Sequence, residues 1–211
     1  MLRNPNGLSH AVVALLAGNL VFDVLLALVD IDVLVDGAPF LDDESPTGAL
    51  NVNLLYSMAF TLFVVTGVVF IVWFRRLRHN AGVWAADRQD RGPGWAVGGW
   101  FVPIGNLWIP RNVAADIWRA SRMSPYAPDG PGELALLNGW WAAWVVSMVT
   151  DRIASLAFRR AESVDALISA TWWQLASYGT DAVAAVLAIL FVRRLTSMQH
   201  LKATGMISAA Q

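Results

Sequence analysis

Two aspartates lie near the middle of long apolar runs, where an ionisable side chain is unusual. Asp23 falls in the run at residues 10–35, and Asp181 falls in the run at residues 168–192. A charged carboxylate at the centre of a bilayer costs about 3 kcal/mol on insertion scales, so an acid at this depth is a functional candidate by default. We expect the two aspartates to hold or share a proton, with one as a catalytic acid and the other orienting it or removing a proton.

Further polar residues recur at helical spacing in four apolar runs. The four stripes are Asn19, Asp23 and Asp30; Asn53, Ser57 and Thr61; Asn138 and Arg152, with Asp151 beside them; and Gln174, Ser177, Tyr178 and Asp181. If the four helices form a bundle and the stripes face its interior, they enclose a polar axis. Asp30 and Arg152 would then form a buried ion pair, for which Asp32 and Asp151 are alternative partners. The competing interpretation is that the Asn, Ser, Thr and Gln side chains hydrogen-bond neighbouring helices, at about 0.6 kcal/mol each.

Tryptophan is abundant, with 11 residues. Five tryptophans near predicted membrane borders are typical of an interfacial aromatic belt: Trp73, Trp84, Trp95, Trp108 and Trp118. Five others lie in or near the last two apolar runs: Trp140, Trp141, Trp144, Trp172 and Trp173. Because an aromatic face stabilises a cation by about 0.5–2 kcal/mol, this second group could line the path of a carbocation. Ordinary packing is the alternative.

The elements that carry these residues are predicted to be membrane-spanning helices. The four apolar runs cover residues 10–35, 52–74, 134–158 and 168–192, and about 20 apolar residues suffice to cross the hydrocarbon. Hydrophobic residues make up 56% of the chain and charged residues only 15%, which is far from the composition of a soluble domain. The sequence predicts an all-α integral membrane protein with one domain, residues 1–211, and four transmembrane helices.

Positive charge orients the predicted spans. Arg75, Arg76 and Arg78 follow the second run, whereas residues 36–51 between the first two runs contain four acidic residues and no Lys or Arg. The positive-inside rule therefore places that first loop outside and both termini in the cytoplasm, with twelve of the 15 Lys and Arg residues inside. This predicts a multi-pass protein of a bacterial cytoplasmic membrane.

A Gly- and Pro-rich apolar segment, GWAVGGWFVPIGNLWIP, occupies residues 94–110. If it crossed the membrane, nine of the 15 Lys and Arg residues would be inside and six outside. We therefore predict a re-entrant or interfacial hairpin, with five spans as the alternative. Residues 111–122 then predict a short helix on the cytoplasmic surface with its apolar face in lipid; a solvated connecting helix is the alternative.

Four motifs form a recognisable set: FRRLRHNA at residues 74–81, GWAVGGWFVPIGNLWIP at 94–110, DIWRAS at 116–121 and VRRLTSMQ at 192–199. Together they resemble an actinobacterial membrane family, domain of unknown function 4328, from about Leu54 to Gln199. The resemblance implies a multi-span inner-membrane protein. It implies no particular activity, so function is predicted from the residues.

Two functions fit these residues. The first is an enzyme in which Asp23 or Asp181 starts a carbocation cyclisation of a lipophilic prenyl or terpenoid substrate, an isomerase-type terpene cyclase. Its substrate-binding residues would be Asn19, Asp30, Trp140, Trp141, Trp144, Arg152, Trp172, Trp173 and Tyr178. The second is a non-enzymatic membrane module, either a partner-binding subunit or a small proton or solute conductor.

Neither function calls for a cofactor or a metal. The net charge of −1 gives no basic surface for nucleic acid, and His10, His79 and His200 lack the spacing of metal ligands. Membrane lipid and a lipophilic small molecule are the expected partners.

Overall fold

The computed structural model describes residues 1–36 and 52–208, and within them the chain forms helices and no β-strand. The six α-helices are α1 (Asn6–Asp36), α2 (Val52–Trp84), α3 (Trp95–Gly98), α4 (Ile109–Ser121), α5 (Ala135–Arg160) and α6 (Val164–Ser208). The predicted all-α class is confirmed for this part of the chain. Most of the acidic loop between the first two apolar runs lies outside the described residues.

Three helices are long and apolar enough to cross a membrane: Asn6–Asp32 of α1, Val52–Trp84 of α2, and Val164–Gly205 of α6. Three of the four predicted spans thus have a matching helix. At 26 residues α5 is also long enough. It is less apolar than the other three, because polar residues interrupt its sequence.

Two helices continue well past the apolar runs that predicted them. The second run ends at residue 74, yet α2 reaches Trp84, and α6 continues from the end of the fourth run at residue 192 to Ser208. Leu77 and Ala81 in the extension of α2 are fully buried, as is Leu195 in the extension of α6. In both extensions the sequence is polar overall, but apolar residues still recur at helical spacing and form a buried face.

The chain divides into two compact units, each defined by contacts among its own residues. The first unit comprises Met1–Ala14, Thr66–Trp141 and Leu187–Gln211, and the second comprises Leu15–Val65 and Ala142–Val186. The first unit contains all of α3 and α4. The second contains Asp23 and Asp181, so each unit is described separately below.

Residues 94–110, in the first unit, form an irregular segment rather than a long helix. The four residues of α3 are followed by turns, a single 3-10 turn at Gly105–Leu107 and the start of α4. The five-span alternative has no helix here to form the extra span. Pro110 stands in the first turn of α4, where a missing N–H is tolerated.

Two glycines allow this segment to fold tightly onto the start of α4. A Cβ atom at Gly99 would lie 2.7 Å from Ile109 Cγ2 and 2.8 Å from the Trp95 carbonyl oxygen. At Gly105 it would lie 2.8 Å from Val102 Cγ1 and 2.9 Å from Ile109 Cδ1. These distances leave no room for a larger residue.

We expect Gly99→Ala to destabilise the protein by about 1–3 kcal/mol, because the added methyl group overpacks a closed site. Gly98→Ala is the matched control, since a Cβ atom at Gly98 meets nothing within 4 Å. Thermal unfolding in detergent should show a lower midpoint for Gly99→Ala alone. Equal midpoints for the two variants would contradict the close approach.

Helix α4 is enclosed by protein in the first unit. Ten of its 13 residues are buried, including Val113, Ile117 and Trp118 on its apolar face and Asp116 opposite them. The sequence predicted that this apolar face contacts lipid, but in the structure it is buried. The amphipathic pattern specified a buried face correctly, but protein covers that face.

Candidate functional site

The second unit brings together the two aspartates that the sequence singled out. Asp23 on α1 and Asp181 on α6 are each half-buried, and their carboxylates are close enough to interact electrostatically. They are separated by most of the chain, so the pairing is a product of the fold. It places two acids of apolar helices within range of electrostatic interaction.

Hydroxyl groups surround Asp181. The side chains of Ser147 on α5 and Ser177 on α6 lie next to its carboxylate, and both serines are buried. One turn along, the hydroxyls of Thr150 and Thr180 hydrogen-bond to each other at 2.7 Å. Polar contacts thus join α5 to α6 at Asp181 and at the neighbouring Thr180.

Asp30 lies in a second polar group with two tyrosines, Tyr56 on α2 and Tyr178 on α6. Asp30 is 5% exposed and Tyr178 is buried, and both pack in the apolar surroundings of Leu26, Val29 and their neighbours. Asp30 Oδ2 and Tyr178 Oη have no hydrogen-bond partner of normal geometry in the described part of the chain, and neither has Ser177 Oγ. Buried polar atoms of this kind cost about 1–3 kcal/mol each when unsatisfied.

The predicted ion pair between Asp30 and Arg152 does not form in the described structure. Arg152 is exposed on α5, and the charged group of Asp30 faces tyrosines instead. A long arginine side chain near a helix end can reach the membrane border, which removes the need for a buried partner. Asp151 is exposed as well, although it interacts with Asp181.

Three other members of the predicted stripes hydrogen-bond to carbonyls of their own helices. Asn53, Ser57 and Thr61 are exposed on α2, and the Ser57 and Thr61 hydroxyls donate to carbonyls of their own helix at 2.8 Å. Asn19 Nδ2 likewise donates to the Leu15 carbonyl at 2.8 Å. Side chains satisfied by their own backbone do not have to face a neighbouring helix.

The five predicted pocket tryptophans differ in burial. Trp140 and Trp141 are buried in the first unit, Trp144 is half-buried in the second, and Trp172 and Trp173 are exposed.

Trp140 and Trp141 belong to an aromatic core in the first unit. The ring of Trp140 stacks on that of Phe191 with centroids 4.6 Å apart and lies 5.7 Å from that of Phe70. Trp141 Nε1 donates to the Leu107 carbonyl at 2.7 Å. Trp73 and Trp118 also lie in this core, which corrects their prediction as interfacial belt residues.

A buried polar hub in the first unit was not predicted from the sequence. Gln199 Nε2 donates to the Leu77 carbonyl and to Ser121 Oγ, both at 3.1 Å, while Gln199 Oε1 accepts from Asn80 Nδ2 at 2.9 Å. Lys202 Nζ donates to the carbonyls of Ala120 at 2.8 Å and Arg122 at 2.7 Å. The hub joins α2, α4 and α6, and its side chains fall in three of the sequence motifs, with Asn80 in FRRLRHNA, Ser121 in DIWRAS and Gln199 in VRRLTSMQ.

The first unit also contains a cleft of about 460 Å³ lined by Arg88, Arg119, Arg122 and residues 126–129. Arg119 pairs with Asp129 at 2.8 Å and Arg122 pairs with Glu133 at 2.9 Å. The Arg119 guanidinium holds the pKa of Asp129 below its ordinary value. These pairs leave little free positive charge in the cleft for an anion.

Behind the cleft, Asp116 is buried on α4. Burial raises the pKa of Asp116, and the nearby charge of Asp90 adds to this effect, whereas Arg119 and Arg78 oppose it. The Asp90 N–H donates to Asp116 Oδ2 at 3.3 Å. Asp116 thus connects α4 to the residues that follow α2.

These features define an all-helical protein that has three helices long and apolar enough to cross a membrane and ionisable side chains within them. The chain belongs to the family described as a domain of unknown function, DUF4328, whose model matches residues 43–197. The resemblance drawn from the central motifs is therefore confirmed. Asp181 lies within the matched residues and Asp23 lies before them. No curated protein and no solved structure matches the chain.

Proposed function

We propose that this protein relays protons within the membrane through Asp23 and Asp181. The observation that carries the proposal is that both aspartates, from α1 and α6, lie half-buried in the second unit within range of electrostatic interaction. Two negative charges close together in apolar surroundings are costly, so a pair that shares one proton is the favoured form. Such a pair can accept a proton and release one.

The hydroxyl groups beside the pair supply donors and acceptors for the relay. A hydroxyl both donates and accepts hydrogen bonds, so Ser147 and Ser177 can exchange protons with Asp181. Asp151 interacts with Asp181 and is exposed, which provides an end point in contact with the surroundings. Water next to the buried Ser177 and Tyr178 hydroxyls would satisfy them and extend the relay.

Proton flux into liposomes tests the proposal. The purified full chain, reconstituted in liposomes with an entrapped pH-sensitive dye, should dissipate an imposed pH gradient faster than protein-free liposomes. A potassium ionophore compensates the charge. A rate equal to that of protein-free liposomes would overturn the proposal.

A prenyl or terpenoid cyclase is the second candidate, and it is favoured by the same acid pair. The pair would protonate the substrate, with one aspartate as the acid and the other orienting it. Trp140 and Trp141, two of its predicted substrate-binding residues, pack in the aromatic core of the first unit. A wild-type-specific product of unchanged mass but shifted chromatographic retention, from bacteria supplied with prenyl substrates, would favour the cyclase.

We also propose that α5 is a fourth span, in a bacterial cytoplasmic membrane with both termini inside. Ser124 and Glu162 flank α5 and are exposed, and the chain contains no cysteine. A membrane-impermeant thiol reagent should therefore label Glu162→Cys from outside and Ser124→Cys only after the membrane is opened. Labelling of both positions from the same side would contradict a crossing by α5.

A further inference from the structure

The tip of the Gly- and Pro-rich segment in the first unit, residues 99–108, displays apolar side chains on the protein surface. We call these residues the tip loop. Phe101 is 72% exposed and Ile104 is 71% exposed, and Leu107 and Trp108 are exposed beside them. A contiguous apolar surface of this kind marks an interaction site.

The tip loop is held in place rather than loosely extended. Gly99 and Gly105 allow its ends to pack closely on Ile109 and Val102, and the indole of Trp141 holds the Leu107 carbonyl. Ile104 has a φ of 62° and is the one residue other than glycine with a positive φ in the described ranges 1–36 and 52–208. A β-branched residue rarely adopts this conformation, and here it accompanies an outward-facing side chain.

The charges around the tip loop match an anionic lipid surface. Between Asp90 and Asp116 the only charged residues are Arg91 and Arg111, so the apolar loop is flanked by two cations and no acid. The Arg91 guanidinium lies 5.3 Å from the centre of the Trp95 ring, and Trp95 is exposed. Exposed tryptophan with arginine is the combination found at the headgroup level of membranes.

We propose that the tip loop inserts Phe101, Ile104 and Trp108 into the bilayer at the headgroup–acyl boundary, where Arg91 and Arg111 contact anionic lipid phosphates. The lipid is that of the membrane the long helices cross, so the loop anchors the first unit to its surface. This anchor does not depend on the proton relay. Helix α4, whose apolar face the sequence placed in lipid, is buried. For residues 94–110 the sequence left a re-entrant and an interfacial hairpin open, and the proposal takes the interfacial one and assigns the lipid contact to the tip loop.

Fluorescence from a single labelled cysteine tests the anchor. Full-length Ile104→Cys carrying an environment-sensitive nitrobenzoxadiazole probe is reconstituted in phosphatidylcholine liposomes with and without phosphatidylglycerol. The probe should show a blue shift and lose emission to spin-labelled lipid rather than to aqueous iodide, more strongly with phosphatidylglycerol. Ser124→Cys is the control, and its probe should be quenched by iodide.

Two results would overturn the proposal. The first is quenching of the Ile104→Cys probe by iodide but not by spin-labelled lipid, which would place the loop in water or against another protein. The second is energy transfer between probes on separate copies at high dilution in lipid, which would make a second copy the occupant. An identical response in liposomes without phosphatidylglycerol would refute the proposed contact of Arg91 and Arg111 with anionic lipid.

Discussion

Replacing Asp181 with Asn should lower the proton flux of reconstituted protein by about 100-fold, the size of effect that a positioned proton donor contributes. Asn keeps the shape and the hydrogen-bonding capacity of the side chain but cannot release a proton. Asp23→Asn should have the same effect, because in the proposed relay the two carboxyl groups share one proton. The rate of dye-reported pH equilibration in liposomes measures both.

The matched control is Asp165→Asn, which removes an exposed carboxylate from the first turn of the same helix, α6. Its flux should equal that of the wild type. The double variant Asp23→Asn/Asp181→Asn should be no slower than either single variant, since groups that act as a unit are not additive. Independent, multiplying losses would contradict a shared proton.

Replacing Trp140 with Ala should destabilise the protein by about 3–5 kcal/mol, the usual cost of removing a buried aromatic side chain. Trp140 is 4% exposed and its ring contacts those of Phe191, Trp141 and Phe70. The loss would open a cavity in the aromatic core of the first unit. Thermal or denaturant unfolding in detergent measures the effect.

Trp172→Ala is the control for this prediction, because Trp172 is 62% exposed on α6. It should change stability by much less, since few contacts within the protein are lost. If Trp140→Ala left stability unchanged but altered a cyclised product, Trp140 would line a substrate pocket and the structural role would be refuted.

The free-energy cost of burying a carboxyl group explains why the three aspartates could be identified from the sequence. Asp23, Asp30 and Asp181 stand out within apolar runs because a carboxyl group there requires a reason, and the structure places all three in the second unit. Burying a hydroxyl or amide side chain in an apolar helix needs no comparable functional reason. Ser57 and Thr61 are satisfied by their own helix, so their spacing predicted a face but not what the face contacts.

The first unit could not be predicted because its contacts join distant parts of the chain. The hub hydrogen bonds from Gln199 to Ser121 and from Lys202 to Ala120 connect residues 78 and 82 positions apart. Both donors follow the last apolar run, where the sequence looks like a polar tail. Hydropathy marks the membrane-crossing part of α6 but not the helical extension that buries these side chains.

Infrared spectroscopy of the carboxyl groups tests the central claim, that Asp23 and Asp181 share a proton, most directly. The difference between wild type and Asp23→Asn/Asp181→Asn at neutral pH should contain the carbonyl band of a protonated carboxyl group, shifted in heavy water, together with one ionised carboxylate. A difference spectrum that contains only ionised carboxylates would contradict the claim.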